Sequence, residues 1–161
     1  MMKNLVVYYS LEGNTKLIAE AIAKEIGADI LELKLKKEFP SSGFIKYLWG
    51  GKSVIFKQKP ALINEEIDLN KYDNIFLGTP VWAGTYAAPF NTFLDGKNIS
   101  NKNIAIFTCH GGGGSEKCFA NFKKSIPDNI FLGEIEILDP LKKETDKNLD
   151  KVKNWIKTLS I

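Results

Sequence analysis

Short apolar runs alternate along this chain with stretches that repeat every three to four residues. Leu5-Val6-Val7 and Ile75-Phe76-Leu77 are apolar without alternation, the pattern of strands covered on both faces. They predict strands at 4–9 and 74–78. Further strands are expected at 103–109 and at 129–138, the latter carrying Phe131, Ile135 and Ile137 and broken by Asp139-Pro140. Residues 29–35 half-alternate, Ile30-Leu31-Glu32-Leu33-Lys34-Leu35, which suits a strand near a sheet edge. Between these runs lie helical stripes. Ile18, Ile22 and Ile26, with Leu17 and Ala21 beside them, predict a helix from residue 14 or 15 to 26, stopped by Gly27. A second is expected at 88–94, with Pro89 in its first turn. A third starts at Ser115, read as its N-cap, with Phe119, Phe122 and Ile126 on its apolar side. The last spans 145–159, striped by Leu149, Val152, Ile156 and Leu159. The longest connection, 38–72, holds Phe44, Ile45, Leu48, Trp49, Val54, Ile55 and Phe56 interrupted by Gly50-Gly51; it predicts one helix or two short ones.

Strands alternating with helices give an α/β sandwich around a parallel sheet. The 161 residues suit one domain, 1–161. No run reaches the roughly 18 apolar residues of a membrane span. Met1-Met2-Lys3-Asn4 leads into an apolar run too short for a secretory core, so a cytoplasmic protein is expected. Two cysteines without a C-x-x-C spacing argue against a disulfide framework or a structural zinc site. Net charge is +3 with every basic residue a lysine, too mild a balance to imply nucleic-acid binding. The charge is uneven: between Lys34 and Lys59 seven lysines face one acid, Glu38. That segment reads either as a solvated lysine face or as a basic flap or docking face for an acidic partner.

Ligands of such sheets sit beyond the carboxyl ends of the strands, and three loops there carry chemistry. Ser10-Leu11-Glu12-Gly13-Asn14-Thr15 runs from a strand into a helix N-terminus. Unpaired N–H groups and the helix dipole there favour an anion, and Ser10 and Thr15 add hydroxyls. Neither G-x-x-x-x-G-K-[ST] nor G-x-G-x-x-G is present, and Lys34, Lys36 and Lys37 stand where a dinucleotide fold wants an acid. One terminal monophosphate fits best. Thr79-Pro80-Val81-Trp82-Ala83-Gly84 offers an aromatic plane. Cys109-His110-Gly111-Gly112-Gly113 offers bare backbone to a heterocycle edge, with His110 a candidate source of a proton or positive charge. Phosphate, flat ring and polar ring edge together describe flavin mononucleotide (FMN).

Ser10–Thr15 resembles the phosphate signature of the flavodoxin family, and Thr79–Gly84 its second flavin loop. The resemblance covers essentially the whole chain. It implies a flavodoxin-like three-layer α/β sandwich with a five-stranded parallel sheet of order 2-1-3-4-5. Ser10, Leu11, Glu12, Gly13, Asn14 and Thr15 would surround the FMN phosphate, with Lys16 as an electrostatic aid. Thr79, Pro80, Val81, Trp82, Ala83 and Gly84 would border the ring, and Cys109, His110, Gly111, Gly112 and Gly113 its pyrimidine side. The implied role is electron transfer between a reductase and an acceptor protein by a monomer, with no catalytic residue, metal, nucleic acid or membrane involved. The alternative is an FMN-dependent NAD(P)H:quinone or nitro-compound reductase, to which the glycine run would leave an open ring face. Departures from the family are the positive net charge and a third loop without its usual acid and tyrosine. Trp155 reads as structural; Trp49 reads as core or as a cover for the outer ring face. A phosphoacceptor receiver domain is disfavoured by Tyr9-Ser10 and Gly78-Thr79 where acids would stand, and a hydrolase by the missing G-x-S-x-G.

Overall fold

The computed structural model describes residues 1–40, 52 and 57–161. The helical stretch expected within 44–56, and Trp49, lie outside the described residues. The elements in chain order are β1 (Asn4–Tyr8), α1 (Asn14–Ile26), β2 (Asp29–Glu32), a 3-10 turn (Leu69–Lys71), β3 (Asn74–Trp82), β4 (Thr85–Tyr86), α2 (Pro89–Leu94), β5 (Asn103–His110), α3 (Ser115–Ser125), β6 (Ile130–Leu138) and α4 (Thr145–Ile156). Five strands run parallel in the order β2-β1-β3-β5-β6, and β4 pairs antiparallel with β3. Leaving out β4, that is the expected 2-1-3-4-5.

The uninterrupted apolar runs are explained by what covers them. Alternate residues of β1, β3 and β5 enter two cores on opposite faces. Leu5, Val7, Ile75, Leu77 and Ile106 pack with Phe90 of α2 and Phe119 and Phe122 of α3. Val6, Phe76 and Phe107 pack with Ile18 and Ile22 of α1 and Val152 and Ile156 of α4. Trp155 belongs to the second core, meeting Phe76 edge to face at 6.1 Å. At the amino ends of the central strands, Asn103 donates to Asn74 at 2.8 Å and Asn74 to Asn4 at 2.7 Å. This amide ladder crosses three paired positions and helps hold the register.

Most ends fall within a residue of expectation, and four departures have a clear physical reason. β2 ends at Glu32 because Asn64 closes its edge, accepting from Lys34 N–H at 2.7 Å and donating to Glu32 C=O at 2.7 Å. β3 runs past Gly78 to Trp82 and turns back into β4. Ser115 is not the cap of α3: Gly114, at φ 90°, takes that place, and Ser115 Oγ accepts from Thr108 Oγ1 at 2.9 Å inside the protein. α4 stops at Ile156, and Leu159 reaches the core through a closing turn.

Candidate functional site

The carboxyl ends of β1, β3, β5 and β6 open into a cleft of about 410 Å³, within the size range of small-molecule pockets. Ser10, Leu11, Glu12, Asn14 and Thr15 line one end, and Pro80, Val81, Trp82 and Ala83 a wall. Cys109, His110 and Gly111 form the facing edge, and Asp139 and Lys142 close the remaining side.

The first loop is shaped from within. Ser10 Oγ accepts from the N–H of Gly13 at 3.1 Å and of Lys16 at 3.2 Å. It thereby satisfies one orphan donor of the α1 first turn and folds the chain back on itself. Gly13 adopts φ 95°, a left-handed conformation suited to glycine. Among the described residues the hydroxyl of Thr15 is fully buried and makes no hydrogen bond of good geometry, with the Cys109 thiol as its polar neighbour. An unpaired buried hydroxyl is costly, and Thr15 lies in the lining of the cleft. Asn14 is turned aside. Its Nδ2 donates to Asp139 Oδ1 at 3.1 Å, and its Oδ1 accepts from Leu141 N–H at 2.9 Å. A Cβ built on Gly13 would stand 3.2 Å from Leu141 Cδ1. The loop after β6 is therefore clamped onto the loop after β1.

The second loop is a hairpin rather than a free rim segment. Val81 pairs with Tyr86 and Trp82 with Thr85, and the turn residues Ala83 and Gly84 have φ 47° and 74°, the signs a two-residue hairpin turn requires. Trp82 is held edge-on by Tyr9, with ring centres 5.6 Å apart, and by Phe39 at 5.3 Å. Tyr86 stacks on Phe122 at 4.4 Å and hydrogen-bonds to Ser125 at 2.8 Å, so the hairpin is fastened to α3. The hairpin tip also meets the glycine run: a Cβ on Gly114 would stand 3.2 Å from Val81 Cγ1 and 3.3 Å from Gly84 Cα.

In the third loop both ring nitrogens of His110 have polar neighbours. Nδ1 accepts from Gly113 N–H at 2.8 Å, and Nε2 faces Glu136 Oε2 at 3.5 Å. Cys109 is buried on one face of the sheet and Cys118 on the other, so the two do not pair. Burial pushes both thiols up to about 12; at Cys109 the Asp139 carboxylate adds to the shift and the Thr15 hydroxyl opposes it. Both stay protonated at neutral pH.

The structure thus brings most of the expected site residues to one cleft and moves others off its lining. Gly13 and Gly84 shape turns, and Thr79 is internal, donating to Pro80 C=O at 2.8 Å and accepting from Ala87 N–H at 2.9 Å. Gly112 and Gly113 stand outside the lining. Lys16 turns to Glu20, at 3.9 Å, and does not line the cleft. Asp139, Lys142 and the Phe39 contact to Trp82 were missed by sequence reasoning. Only the Asp139-Pro140 corner, read as the end of a strand, gave any hint of them. Among the described residues no group of histidines, cysteines and acids could hold a metal ion, and no helix is long and apolar enough to cross a membrane.

Comparison with known proteins agrees with this architecture. A flavoprotein from Lactobacillus acidophilus NCFM, crystallised in complex with FMN, is 28% identical, with 91% of this chain and 98% of that one covered and a TM-score of 0.74. A Bacteroides eggerthii DSM 20697 protein assigned as a flavoprotein, 21% identical, shares the fold over 100% of this chain and 99% of its own, TM-score 0.79. So does the oxidised flavodoxin 2 of Bacillus cereus, 17% identical, over 97% and 96%, TM-score 0.57. The family model described as flavodoxin matches residues 3–159, and the chain belongs to the flavodoxin family.

Proposed function

We propose that the cleft binds FMN and that the protein carries electrons between redox partners. The observation that carries this reading is the Thr15 hydroxyl, buried without a partner among the described residues at the end of the cleft where α1 begins. Around it, the N–H groups of Asn14 and Thr15 belong to the first turn of α1, where no intrahelical acceptor exists. A phosphate there would accept from all three, and Gly13 supplies the left-handed turn that starts the helix at that point. Ser10 would act mainly by ordering the loop. The flat ring would lie along Trp82 and the Pro80–Ala83 wall, with Cys109, His110 and Gly111 at its polar edge. When bound, FMN supplies the redox chemistry, and the protein supplies orientation and electrostatics. The FMN complex of the Lactobacillus relative supports the choice of cofactor. The two thiols are buried on opposite faces of the sheet, away from each other.

The test is a titration of the apo-protein with FMN and with riboflavin, read by quenching of flavin fluorescence. Thr15→Val should weaken FMN binding by about tenfold or more, the worth of one hydrogen bond to a charged group, and leave riboflavin nearly unchanged. Absence of FMN binding at micromolar concentration, or an equal loss for both ligands, refutes the reading. Mixing the holoprotein with NADH or NADPH separates carrier from reductase. A carrier stays oxidised until a partner reductase is added; direct bleaching overturns the carrier role in favour of the reductase.

A further inference from the structure

The glycine run after β5 contains no side chain that could hold its shape. A Cβ placed on Gly111, Gly112 or Gly113 would meet nothing within 4 Å among the described residues, so none of these packs against the middle of the loop. Its two ends are fixed. His110 is the last residue of β5, pairs with Leu138 and accepts from Asp139 N–H at 2.9 Å through its carbonyl. Gly114 is pressed against Gly84 and Val81. Between these anchors, Gly113 takes φ 104°, and free glycines lose more conformational freedom on ordering than any other residue. The hydrogen bond from Gly113 N–H to His110 Nδ1, at 2.8 Å, ties the loop back to its own root.

We propose that His110 is a positioning residue whose imidazole acts as an acceptor, bracing the glycine run so that Gly111 stays at the cleft edge. This rests on the FMN reading only for its effect on ligand affinity. The donor at Nδ1 requires a lone pair on that nitrogen. The neutral ring then carries its proton on Nε2, where Glu136 on β6 stands at 3.5 Å and favours it. The side chain is 12% exposed, so the ring is a fixed strut. The nitrogen nearest the loop is thus occupied by a main-chain donor. A loop ordered in advance need not be ordered by the ligand, and binding is tighter by that amount.

The experiment uses three variants and two readouts. In His110→Asn, Oδ1 stands the same number of bonds from Cα as Nδ1 and can still accept from Gly113. In His110→Gln the acceptor stands one bond too far out, and His110→Ala has none. Amide hydrogen exchange of Gly113, measured by NMR on the full apo-chain, should show protection in the wild type and in His110→Asn, and fast exchange in the other two. FMN affinity should fall by about five- to tenfold in His110→Ala and His110→Gln, with His110→Asn within about twofold of wild type. Unchanged Gly113 protection in His110→Ala, or a loss in His110→Asn as large as in His110→Ala, overturns the proposal. The exchange arm needs no flavin. Failure of the wild type to bind FMN would therefore sink the proposed function and leave the brace to be decided by the amide.

Discussion

Replacing Gly78 with alanine tests the packing that sets the cleft's floor. Gly78 lies in β3, paired with Tyr8 on one side and Phe107 on the other. A Cβ there would stand 2.0, 2.3 and 2.7 Å from three atoms of the Phe107 ring. Carbon atoms pack at about 3.5–4.0 Å, so the ring must withdraw by roughly 1.5 Å. Phe107 is wholly buried among Val6, Ile137 and Val152, and its neighbours must move with it. Overpacking of this kind costs about 1–3 kcal/mol and sometimes more. Three simultaneous clashes with a fully enclosed ring put Gly78→Ala at the upper end. Stiffening the unfolded chain returns about 0.4–1 kcal/mol, because Gly78 does not need a positive φ. The net expectation is a loss of about 2–3 kcal/mol, measured by urea unfolding of the apo-protein with an unchanged m-value.

The decisive arm is the double variant. Phe107→Leu alone opens a gap and is destabilising; joined to Gly78→Ala, the new methyl enters the space the ring left. The double variant should be more stable than the sum of the single effects by about 1 kcal/mol or more. The clash also reaches the site, since Tyr9 N–H donates to Gly78 C=O at 3.1 Å immediately before Ser10. Gly78→Ala should therefore weaken FMN binding as well, and Phe107→Leu should recover part of it. Additivity within about 0.3 kcal/mol, or a Gly78→Ala cost below about 1 kcal/mol, refutes the argument.

Tyr9→Phe should leave stability unchanged or raise it by about 1 kcal/mol, because the Tyr9 hydroxyl is buried without a partner among the described residues and its removal relieves an unmet desolvation cost; a clear fall in the urea midpoint would show a partner. Asp29 is held below the usual carboxylate range by the Tyr72 hydroxyl at 2.8 Å and then by Lys3. Its folded pKa is depressed, so its contribution is present above the unfolded value of about 3.9 and is lost as pH falls through the folded one. Tyr72→Phe should raise the Asp29 carboxyl midpoint seen by NMR and move the onset of acid unfolding to higher pH; an unmoved midpoint contradicts this. Lys142→Gln should weaken FMN by about two- to fivefold, with the gap closing at high salt and riboflavin unaffected. Lys16→Gln, whose lysine is turned to Glu20, should change FMN affinity by less than about twofold; the reverse ranking would show that Lys16 is the phosphate's counter-charge.

What could be read from the chain was what local chemistry decides. Leu5-Val6-Val7 and Ile75-Phe76-Leu77 announce two-sided burial without reference to any partner, and the stripe Ile18, Ile22, Ile26 fixes a helix face in the same way. Gly13 and Gly27 mark the ends of α1, both with positive φ, because glycine alone takes that conformation cheaply. What failed was whatever a distant partner decides. Pro80 reads as the end of a strand, yet β3 continues through it, because β4 returns to pair with Val81 and Trp82. Ser115 has the chemistry of a cap but lies within reach of Thr108. The side-chain amide of Asn14, as distinct from its main-chain N–H, is engaged by Asp139 and Leu141, more than a hundred residues later. No pattern within one segment encodes such a pairing.

The cleft is consequently built from two bodies rather than three loops. The loop after β1 is clamped to the loop after β6 by Asn14, and both rest on α1 and α4. The hairpin and the glycine run are joined at Gly84 and Gly114 and fastened to α3 by Tyr86. The two bodies meet along the seam where His110 accepts from Asp139 N–H and its ring faces Glu136. A ligand that spans the cleft would touch both bodies at once. Its fit therefore depends on the seam as much as on any contact it makes. For an electron carrier that is a useful arrangement. Redox steps are fast when little around the cofactor must rearrange, and each wall here is fixed by contacts the ligand does not supply.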